Sequence, residues 1–556
     1  MARHRRRPGI RFTLVLAGLL WTVGWAARNS GDNPAQDLQD ALDRQIHRPI
    51  AGLYDNPGEK PVRGRIQRKL VEYYHDRDME PLWTAPDGPN GNAGVLRHTL
   101  DTADSQGLNP ADYSVAQIAR YWEARDPSRL ARLELLLTLS LADYIGDLAE
   151  GRRAPRRIDP ELFPTARDNE FDPTVLLRTC LTCRDLREFL EEQAPPFAEY
   201  RGLRRKLAEF RALAAAGGWP QVPSGRSLKP GARDPRVPAL RKRLGVTGEL
   251  AETDGRDDDE TYGESLVEAV NTFQRRHGLA VDGIVGRATT AAMNVTAGQR
   301  VRQIIVNMES WRWVSRNPGD WLVTVNIPSF ELRAVKAGRV ELAMPVIVGQ
   351  EYNMTPVFTD RVRYVEVNPY WDIPESIAEK EMLPKLREDS GALGREHIRL
   401  FRGPEAGRNE VDPAKVDWAG VAPGGMAAYR LRQDPGPWNS LGRLAFIFPN
   451  EFAVYLHDTP AKALFERTRR AFSHGCIRVA RPKQLAVYLL GGEEAGWDER
   501  RVDGLIAEGN NRLIHLERPV PIFILYNTAF VDPESGVVYY YNDVYGRDVL
   551  LEKALF

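Results

Sequence analysis

The periodicity of the apolar residues changes once along this chain, close to Trp311, and this change constrains the fold more than any other feature. Between residues 66 and 217 apolar residues recur at the spacing of an amphipathic helix, whereas beyond Trp311 they alternate with polar residues. Examples are Leu130, Leu133, Leu137, Leu141 and Leu148 for the first pattern, and Val340, Leu342, Met344, Val346 and Val348 for the second. We therefore predict a multidomain α+β protein with a helical N-terminal half and a mostly β C-terminal part, which forms a sandwich or a partly closed barrel.

The composition excludes several classes of function. Lys and Arg number 76 and so do Asp and Glu, so the net charge is zero and nucleic acid is not an expected partner. A mean hydropathy of -0.43 and a single long apolar run exclude a multi-span membrane protein. Three cysteines are too few for a disulfide scaffold. Cys180 and Cys183, in a helical pattern, could form a strained disulfide or remain two reduced thiols.

The N-terminus has the pattern of an export segment. A cluster of arginines precedes an apolar run from Phe12 to Ala27, and basic flanks of this kind stay on the cytoplasmic side. Gly24 and Ala26 offer a small-residue cleavage site. Residues 1–27 are therefore predicted to be a signal peptide or an uncleaved membrane anchor. In a bacterium, either would place the rest of the chain in the periplasm or outside the cell.

Changes in composition divide the rest of the chain into further segments. These are a polar tether at 28–65, a helical region at 66–218, a three-helix unit at 234–297, a β-rich domain at 311–530 and a C-terminal extension at 531–556. Residues 389–442, inside the β-rich domain, are rich in glycine and proline. We predict that they form an irregular, mobile lid over a cleft, because long loops inside compact domains often have this role.

One short region carries candidate catalytic residues. Cys476 is preceded by His474 and Gly475, and a strand predicted at Phe452–His457 would place Tyr455 and His457 together on its open face. A thiol needs a base to become a nucleophile, and an imidazole can take its proton and lower its pKa. Strand pairing could bring His457, the predicted general base, to Cys476. The N–H groups of Gly475 and Cys476 could form an oxyanion hole.

Two other interpretations of this region compete with nucleophilic catalysis. A buried structural cysteine near two core histidines is common in proteins. A zinc site would have at most three ligands here, with no second cysteine nearby, so no metal is predicted.

The motif resembles that of a known family. His457 followed by Ser473-His474-Gly475-Cys476 is similar to the pattern of the YkuD-type L,D-transpeptidases, bacterial enzymes that remodel peptidoglycan. Residues 234–297 resemble a three-helix peptidoglycan-binding domain. The helical region and two C-terminal strings resemble the large, YcbB-like periplasmic branch with its scaffold domain. The matching strings are Asp147-Leu148-Ala149-Glu150-Gly151-Arg152, Asn368-Pro369-Tyr370-Trp371 and Tyr541-Asn542-Asp543-Val544-Tyr545-Gly546-Arg547-Asp548.

The resemblance implies a reaction and its partners. Cys476 would attack the bond between a diamino acid and a terminal D-Ala, release D-Ala and pass the acyl group to an amine of a second stem peptide, without cofactor or metal. Implied partners are peptidoglycan stem peptides and glycan, the inner membrane if the N-terminal segment is uncleaved, and other wall enzymes. Water or a lipoprotein amine could instead accept the acyl group, or the domain could be a non-catalytic wall-binding adaptor.

Four further residues are expected to bind substrate. They are Tyr455, Arg478, Trp371 and Ser473. Many family members carry Asn where this chain has Arg478. A cation at this position could bind a substrate carboxylate, or it could form a structural ion pair.

Overall fold

The structure is a computed structural model that describes residues 33–48, 63–162, 173–251, 259–403 and 408–556. The predicted export segment at 1–27 lies outside these residues. Among the described helices, none combines the length and the apolar character needed to cross a bilayer.

The N-terminal region is helical and is built around one long helix. That helix, Pro127–Glu150, begins at Asp126, whose side chain accepts the Arg129 N–H, and its apolar residues are buried in a shared core. Its companions are Pro34–Ile46, Arg63–His75, Gly91–Asp101, Val115–Tyr121, Pro155–Ile158, Pro173–Thr182, Leu186–Glu192 and Ala198–Ala215. Cys180 and Cys183 are free thiols.

The first helix, Pro34–Ile46, falls inside the segment predicted to be a tether. Its Leu38, Leu42 and Ile46 are buried in the same core. The prediction of a tether is wrong for these residues, because an apolar stripe in a polar sequence was sufficient to form a packed helix.

The next unit contains three short helices, as predicted. They are Val237–Val246, Glu264–Arg276 and Arg287–Met293, and they enclose a core of their own. The Gln274 side chain joins the second helix to the following turn, because its oxygen accepts the N–H groups of Asp282 and Gly283. A capped helix, Ala297–Arg312, then leads into the β-rich domain.

The β-rich domain contains a sheet of nine described strands that closes on itself, which confirms the predicted β architecture. Closure occurs because Glu331–Lys336 pairs with Trp321–Asn326 on one side and with Arg339–Gly349 on the other. The remaining strands are Phe358–Val367, Leu444–Ile447, Leu456–His457, Ala471–Ser473, Ile477–Val479 and Arg512–Leu525. Apolar residues from these strands fill the interior together with helix Pro482–Leu489, and helix Glu499–Ala507 packs against the latter.

The insertion in this domain is a folded unit. Strands Trp371–Asp372, Ile398–Arg402 and Tyr429–Gln433 form a separate sheet, and buried residues such as Leu400 and Trp418 form a core beneath it. We call residues 371–433 the inserted unit. The prediction of irregular backbone at 389–442 is wrong, because apolar residues scattered among the glycines and prolines converge on this core.

The C-terminal segment contacts several parts of the molecule. A hairpin of Ala529–Val531 and Val538–Tyr540 packs against Ala198–Ala215 and Glu264–Arg276. The last helix, Arg547–Leu555, packs against Ala297–Arg312.

Candidate active site

Strand register places four of the predicted site residues on one face of the sheet. Leu456–His457 runs parallel to Ile477–Val479, with His457 opposite Arg478, and the Ile477 N–H donates to Tyr455 O over 3.1 Å. Side chains alternate along a strand, so Tyr455 and His457 share a face with Cys476 and Arg478. Leu456 and Ile477 point the other way, into the barrel core.

The local geometry differs from the predicted strand in two respects. Only Leu456–His457 is strand, because Ala453 has a φ of 52° and interrupts the extended backbone. His457 is not on an open face, since only 4% of its surface is exposed. The Tyr455 and His457 rings are 5.8 Å apart.

The Cys476 thiol is half-buried. Its Sγ lies 3.6 Å from Ala453 O, which can accept the thiol hydrogen. Burial raises the pKa of the Cys476 thiol above its usual value, and the nearby Arg478 opposes that rise only in part. Burial also raises the pKa of the Tyr455 hydroxyl.

The His457 ring is a neutral imidazole in one tautomer. Its Nδ1 lies 2.5 Å from Asp458 O, and because a carbonyl can only accept, Nδ1 carries the hydrogen and Nε2 keeps a lone pair. Burial, with the positive charge of Arg478, lowers the pKa of His457 to about 3. Burial thus favours the neutral form of both groups rather than a thiolate–imidazolium pair, and the role of His457 as the general base stays a prediction.

The turn from Ser473 to Cys476 is held by one hydroxyl. Ser473 Oγ donates to Cys476 O over 2.5 Å and accepts the Gly475 N–H over 3.2 Å. Gly475 has a φ of 115°, which a residue with a side chain rarely adopts. The Gly475 N–H is thus occupied, whereas the Cys476 N–H makes no hydrogen bond within the described part of the chain. Of the two predicted oxyanion donors, only Cys476 has its N–H available.

His474 and Trp371 lie outside this cluster. His474 Nε2 is 2.6 Å from Glu381 Oε1, and Glu381 belongs to the inserted unit. Trp371 is a partly buried residue of the inserted sheet and packs against the core of that unit.

Arg478 is a half-buried cation without a carboxylate partner among the described residues. Its Nε–H is buried and donates to no acceptor in this part of the chain, and burial lowers the pKa of its guanidinium. The structural ion pair considered for Arg478 is therefore not found in this part of the chain. A group that brings a negative charge to this face would meet an uncompensated positive charge.

Sequence reasoning missed two residues that contact the site. Glu381 gave no signal because it lies in an ordinary charged stretch. Thr355 is fully buried and donates its hydroxyl to Gly475 O over 2.8 Å, but a single Thr before Pro356 carries no recognisable pattern.

One cluster of potential metal ligands was found in the described residues, and it lies away from this site. Asp43, His47 and His75 hold their ligand atoms within 4.8 Å of one another on the helical region. Its residues are half-exposed or exposed, and nothing links it to Cys476.

Family models match three successive parts of the chain. A scaffold domain matches residues 68–207, a domain described as "Putative peptidoglycan binding domain" matches 233–293, and an L,D-transpeptidase catalytic domain, YkuD, matches 320–503. The last range contains Tyr455, His457, Cys476 and Arg478.

Individual proteins are similar as well. A Haemophilus influenzae protein named "Putative L,D-transpeptidase" is 36% identical over 226 residues, which are 41% of this chain and 44% of that protein. The match thus spans less than half the length of the relative. A solved L,D-transpeptidase fragment from Xylanimonas cellulosilytica is 17% identical, with a TM-score of 0.17, and the match covers 54% of this chain and 98% of that fragment. Residues 320–503 thus match an L,D-transpeptidase catalytic domain of the YkuD family, in a chain that also matches a scaffold domain and a peptidoglycan-binding domain.

Proposed function

We propose that this protein is a cysteine-dependent peptidoglycan L,D-transpeptidase that forms cross-links between diamino acids of neighbouring stems. The observation that carries the proposal is the strand register, which places Cys476 on the same sheet face as His457, whose Nε2 keeps a lone pair. The family match supports the same chemistry. The substrates of the proposed enzyme are polymers of the cell wall, so the protein would act outside the cytoplasm, in the periplasm.

The first half-reaction would proceed from two neutral groups. As Cys476 Sγ forms a bond to the carbonyl carbon of the diamino acid, its proton passes to His457 Nε2. The oxyanion accepts the Cys476 N–H. The imidazolium then returns the proton to the departing nitrogen, the C–N bond breaks, and D-Ala leaves a thioester on Cys476.

The second half-reaction reverses the roles. The amine of an acceptor stem attacks the carbonyl carbon of the thioester, and His457 takes a proton from that amine. The C–S bond then breaks, the sulfur receives the proton from His457, and the amide of the cross-link remains. Energy from the original amide is retained in the thioester, so the exchange needs no nucleotide or metal.

Arg478 and Tyr455 would orient the reactants. The half-buried guanidinium of Arg478, which has no carboxylate partner among the described residues, suits a carboxylate of the stem peptide. Tyr455, which shares this face with Cys476, would help to keep the sulfur directed toward its open side. Ser473 holds the backbone of the turn, and His474 links the turn to the inserted unit. Trp371 would reach substrate only from its place in the inserted sheet.

The test is incubation of purified protein with disaccharide-tetrapeptides, followed by mass spectrometry of the products. Wild-type protein should release D-Ala and form dimers, whereas Cys476→Ala should do neither while keeping its thermal midpoint. Dimers formed by Cys476→Ala at the wild-type rate would refute the mechanism. Tripeptide without dimer would identify a carboxypeptidase, and no product from wild-type protein would favour the adaptor.

A further inference from the structure

A loop between strands Arg339–Gly349 and Phe358–Val367 lies directly against the nucleophile turn. Its Thr355 has no exposed surface, and Thr355 Oγ1 donates to Gly475 O over 2.8 Å while accepting the Gly349 N–H over 2.9 Å. The Met354 carbonyl closes the other side, only 3.8 Å from the position that a Gly475 side chain would occupy. The hydroxyl of Thr355 therefore fixes the carbonyl of the residue that precedes Cys476.

That carbonyl belongs to the same peptide unit as the Cys476 N–H. The unit is planar and trans, so the C=O and the N–H point in opposite directions, and holding one sets the direction of the other. A hydrogen bond to the carbonyl also polarises the unit and strengthens its N–H as a donor. Thr355 thus aims the N–H of Cys476, for which the described residues offer no hydrogen-bond acceptor.

Thr355 is itself held by residues from outside the catalytic barrel. Arg547 Nη1 donates to Thr355 O over 3.4 Å, and Arg547 Nε donates to Asp159 Oδ2 over 2.7 Å. Both members of this ion pair are buried, with side chains 3% and 8% exposed. Because a buried ion pair holds its geometry only when both partners remain, Asp159 governs where Arg547 sits.

Further backbone contacts reinforce the loop from the same side. The Val357 N–H donates to Glu161 O over 3.1 Å, which connects the loop to the scaffold segment that contains Asp159. The Tyr545 hydroxyl donates to Gly349 O over 2.7 Å and accepts the Thr355 N–H over 3.3 Å.

We infer that Thr355 is the positioning residue for the oxyanion donor of Cys476, and that the Asp159–Arg547 ion pair makes this positioning depend on the scaffold domain and the C-terminal helix. The inference rests on the proposed acyl transfer at Cys476. It assigns the scaffold a part in the chemistry, in addition to any role as a spacer.

The test compares two reactions of the same thiol. Acylation by a carbapenem develops an oxyanion, whereas alkylation by iodoacetamide does not, so loss of the oxyanion donor should slow the first reaction alone. Thr355→Val keeps the shape of the side chain and removes the hydroxyl, and it should slow acylation by about 10-fold or more. Removing an oxyanion donor altogether costs roughly 10²-fold or more, so a smaller loss is expected when the N–H remains but is less well aimed. The alkylation rate of Thr355→Val should match wild type, and its thermal midpoint should fall modestly because Gly475 O and the Gly349 N–H each lose a buried hydrogen-bond partner. Thr355→Ser, which restores the hydroxyl, should restore acylation.

The outcomes separate this inference from the proposed function. Three results would each overturn the role of Thr355. The acylation rate of Thr355→Val could lie within twofold of wild type, acylation and alkylation could be slowed equally, or Thr355→Ser could fail to restore acylation. A further outcome is that the carbapenem acylates the wild-type protein and acylates Thr355→Val more slowly, while the wild-type protein forms no peptidoglycan product. In that case the proposed function fails and the inference stands.

The scaffold contribution has its own variants. Asp159→Asn should slow acylation in the same direction as Thr355→Val, and the double variant should be no slower than Thr355→Val alone, because both act through one peptide unit. Arg547→Lys keeps the positive charge but cannot donate to Asp159 and to Thr355 O at once, as the guanidinium does. It serves as the test variant if Asp159→Asn folds poorly. The control is Glu552→Gln, which breaks the exposed Arg302–Glu552 pair of the same C-terminal helix and should change neither rate. If the double variant instead loses acylation rate by the product of the two single losses, Asp159 acts independently of Thr355 and the scaffold part of the inference fails.

Discussion

At the residue scale, burial moves the pKa values of Cys476 and His457 apart in the directions that keep both neutral. The thiol pKa is raised and the imidazole pKa falls to about 3, while Arg478 supplies a fixed positive charge beside them. A cysteine enzyme that relies on a preformed thiolate shows the opposite pattern. Here the thiol should ionise only as it attacks, which limits reaction with other electrophiles.

This arrangement predicts the pH dependence of the thiol. Below its raised pKa the thiolate fraction grows about tenfold per pH unit, so the rate of alkylation by iodoacetamide should rise continuously from pH 6 to 9. His457, with a pKa of about 3, stays neutral throughout and adds no inflection. Stopped-flow alkylation of wild-type protein checks this. A plateau below pH 7 would reveal a thiolate–imidazolium pair and contradict the expectation.

The two histidines should differ in their effects on turnover. His457→Ala removes the imidazole that shares a face with Cys476 and should lower kcat by about 10²-fold or more, the usual scale for a general base. His474→Ala breaks the contact with Glu381 and should lower kcat less. Steady-state D-Ala release measures both. A larger loss for His474→Ala would show that the roles are reversed.

The sequence allowed the proximity of these residues to be predicted but not their protonation. The local sequence predicts a strand at Phe452–His457, in which the side chains of Tyr455 and His457 point to the same side. It also allows that strand to pair with the segment that carries Cys476. The burial of His457 depends on the strands that flank it, which contribute Ala445 on one side and Arg478 on the other, and the pattern within its own strand does not report that. Thr355 and Arg547 escaped prediction for the same reason, since their role arises from contacts more than a hundred residues apart.

At the element scale, the inserted unit has its own sheet and core and should move as a body if it moves. Its attachment to the nucleophile turn runs through Glu381 and His474. The glycine and proline content misled the prediction, because short strands such as Ile398–Arg402 contribute few apolar residues each and only their convergence forms a core. We therefore expect slow hydrogen exchange within its strands in the free protein, contrary to an irregular loop.

The contact between Glu381 and His474 can be tested directly. Glu381→Gln removes the charge that faces His474 and should raise deuterium uptake in residues 373–388, with a higher KM and little change in kcat, because closure over substrate becomes less favourable. Hydrogen-exchange mass spectrometry and steady-state kinetics measure these effects. Glu388→Gln, an exposed change in the same stretch, is the matched control. Unchanged uptake in Glu381→Gln would show that the contact does not hold the unit.

At the scale of the whole molecule, the C-terminal hairpin joins the scaffold, the three-helix unit and the barrel. Tyr540 is buried between Phe210, His277 and Arg300, at 6.1, 5.5 and 4.1 Å respectively from ring or guanidinium centres. The sequence suggested an independent three-helix unit, and its internal core agrees with that. Its packing on Tyr540 could not be predicted, because the two lie far apart in the chain.

This packing shapes the expected effect of removing the three-helix unit. Replacing residues 234–293 with a short flexible linker should reduce co-sedimentation with sacculi more than turnover of soluble muropeptides. It should also lower the thermal midpoint, because Tyr540 loses the cover of His277. Pelleting assays, product analysis and calorimetry measure the three effects. Equal loss of binding and turnover, at an unchanged thermal midpoint, would instead indicate that the unit shapes the active site.

The position of strand Arg512–Leu525 has a consequence for how the protein acquires its activity. This strand lies between Phe358–Val367 and Trp321–Asn326, so Ile522 pairs with Val323 and the barrel cannot close before the later segment has been synthesised. Pairings so distant in sequence make folding slow, since a long loop must be ordered before its contacts form. Arg547 and Tyr545, which hold the loop against Gly475, arrive later still. The nucleophile turn should therefore be among the last features to reach its final geometry, and a partly made chain would carry a thiol but no working catalyst.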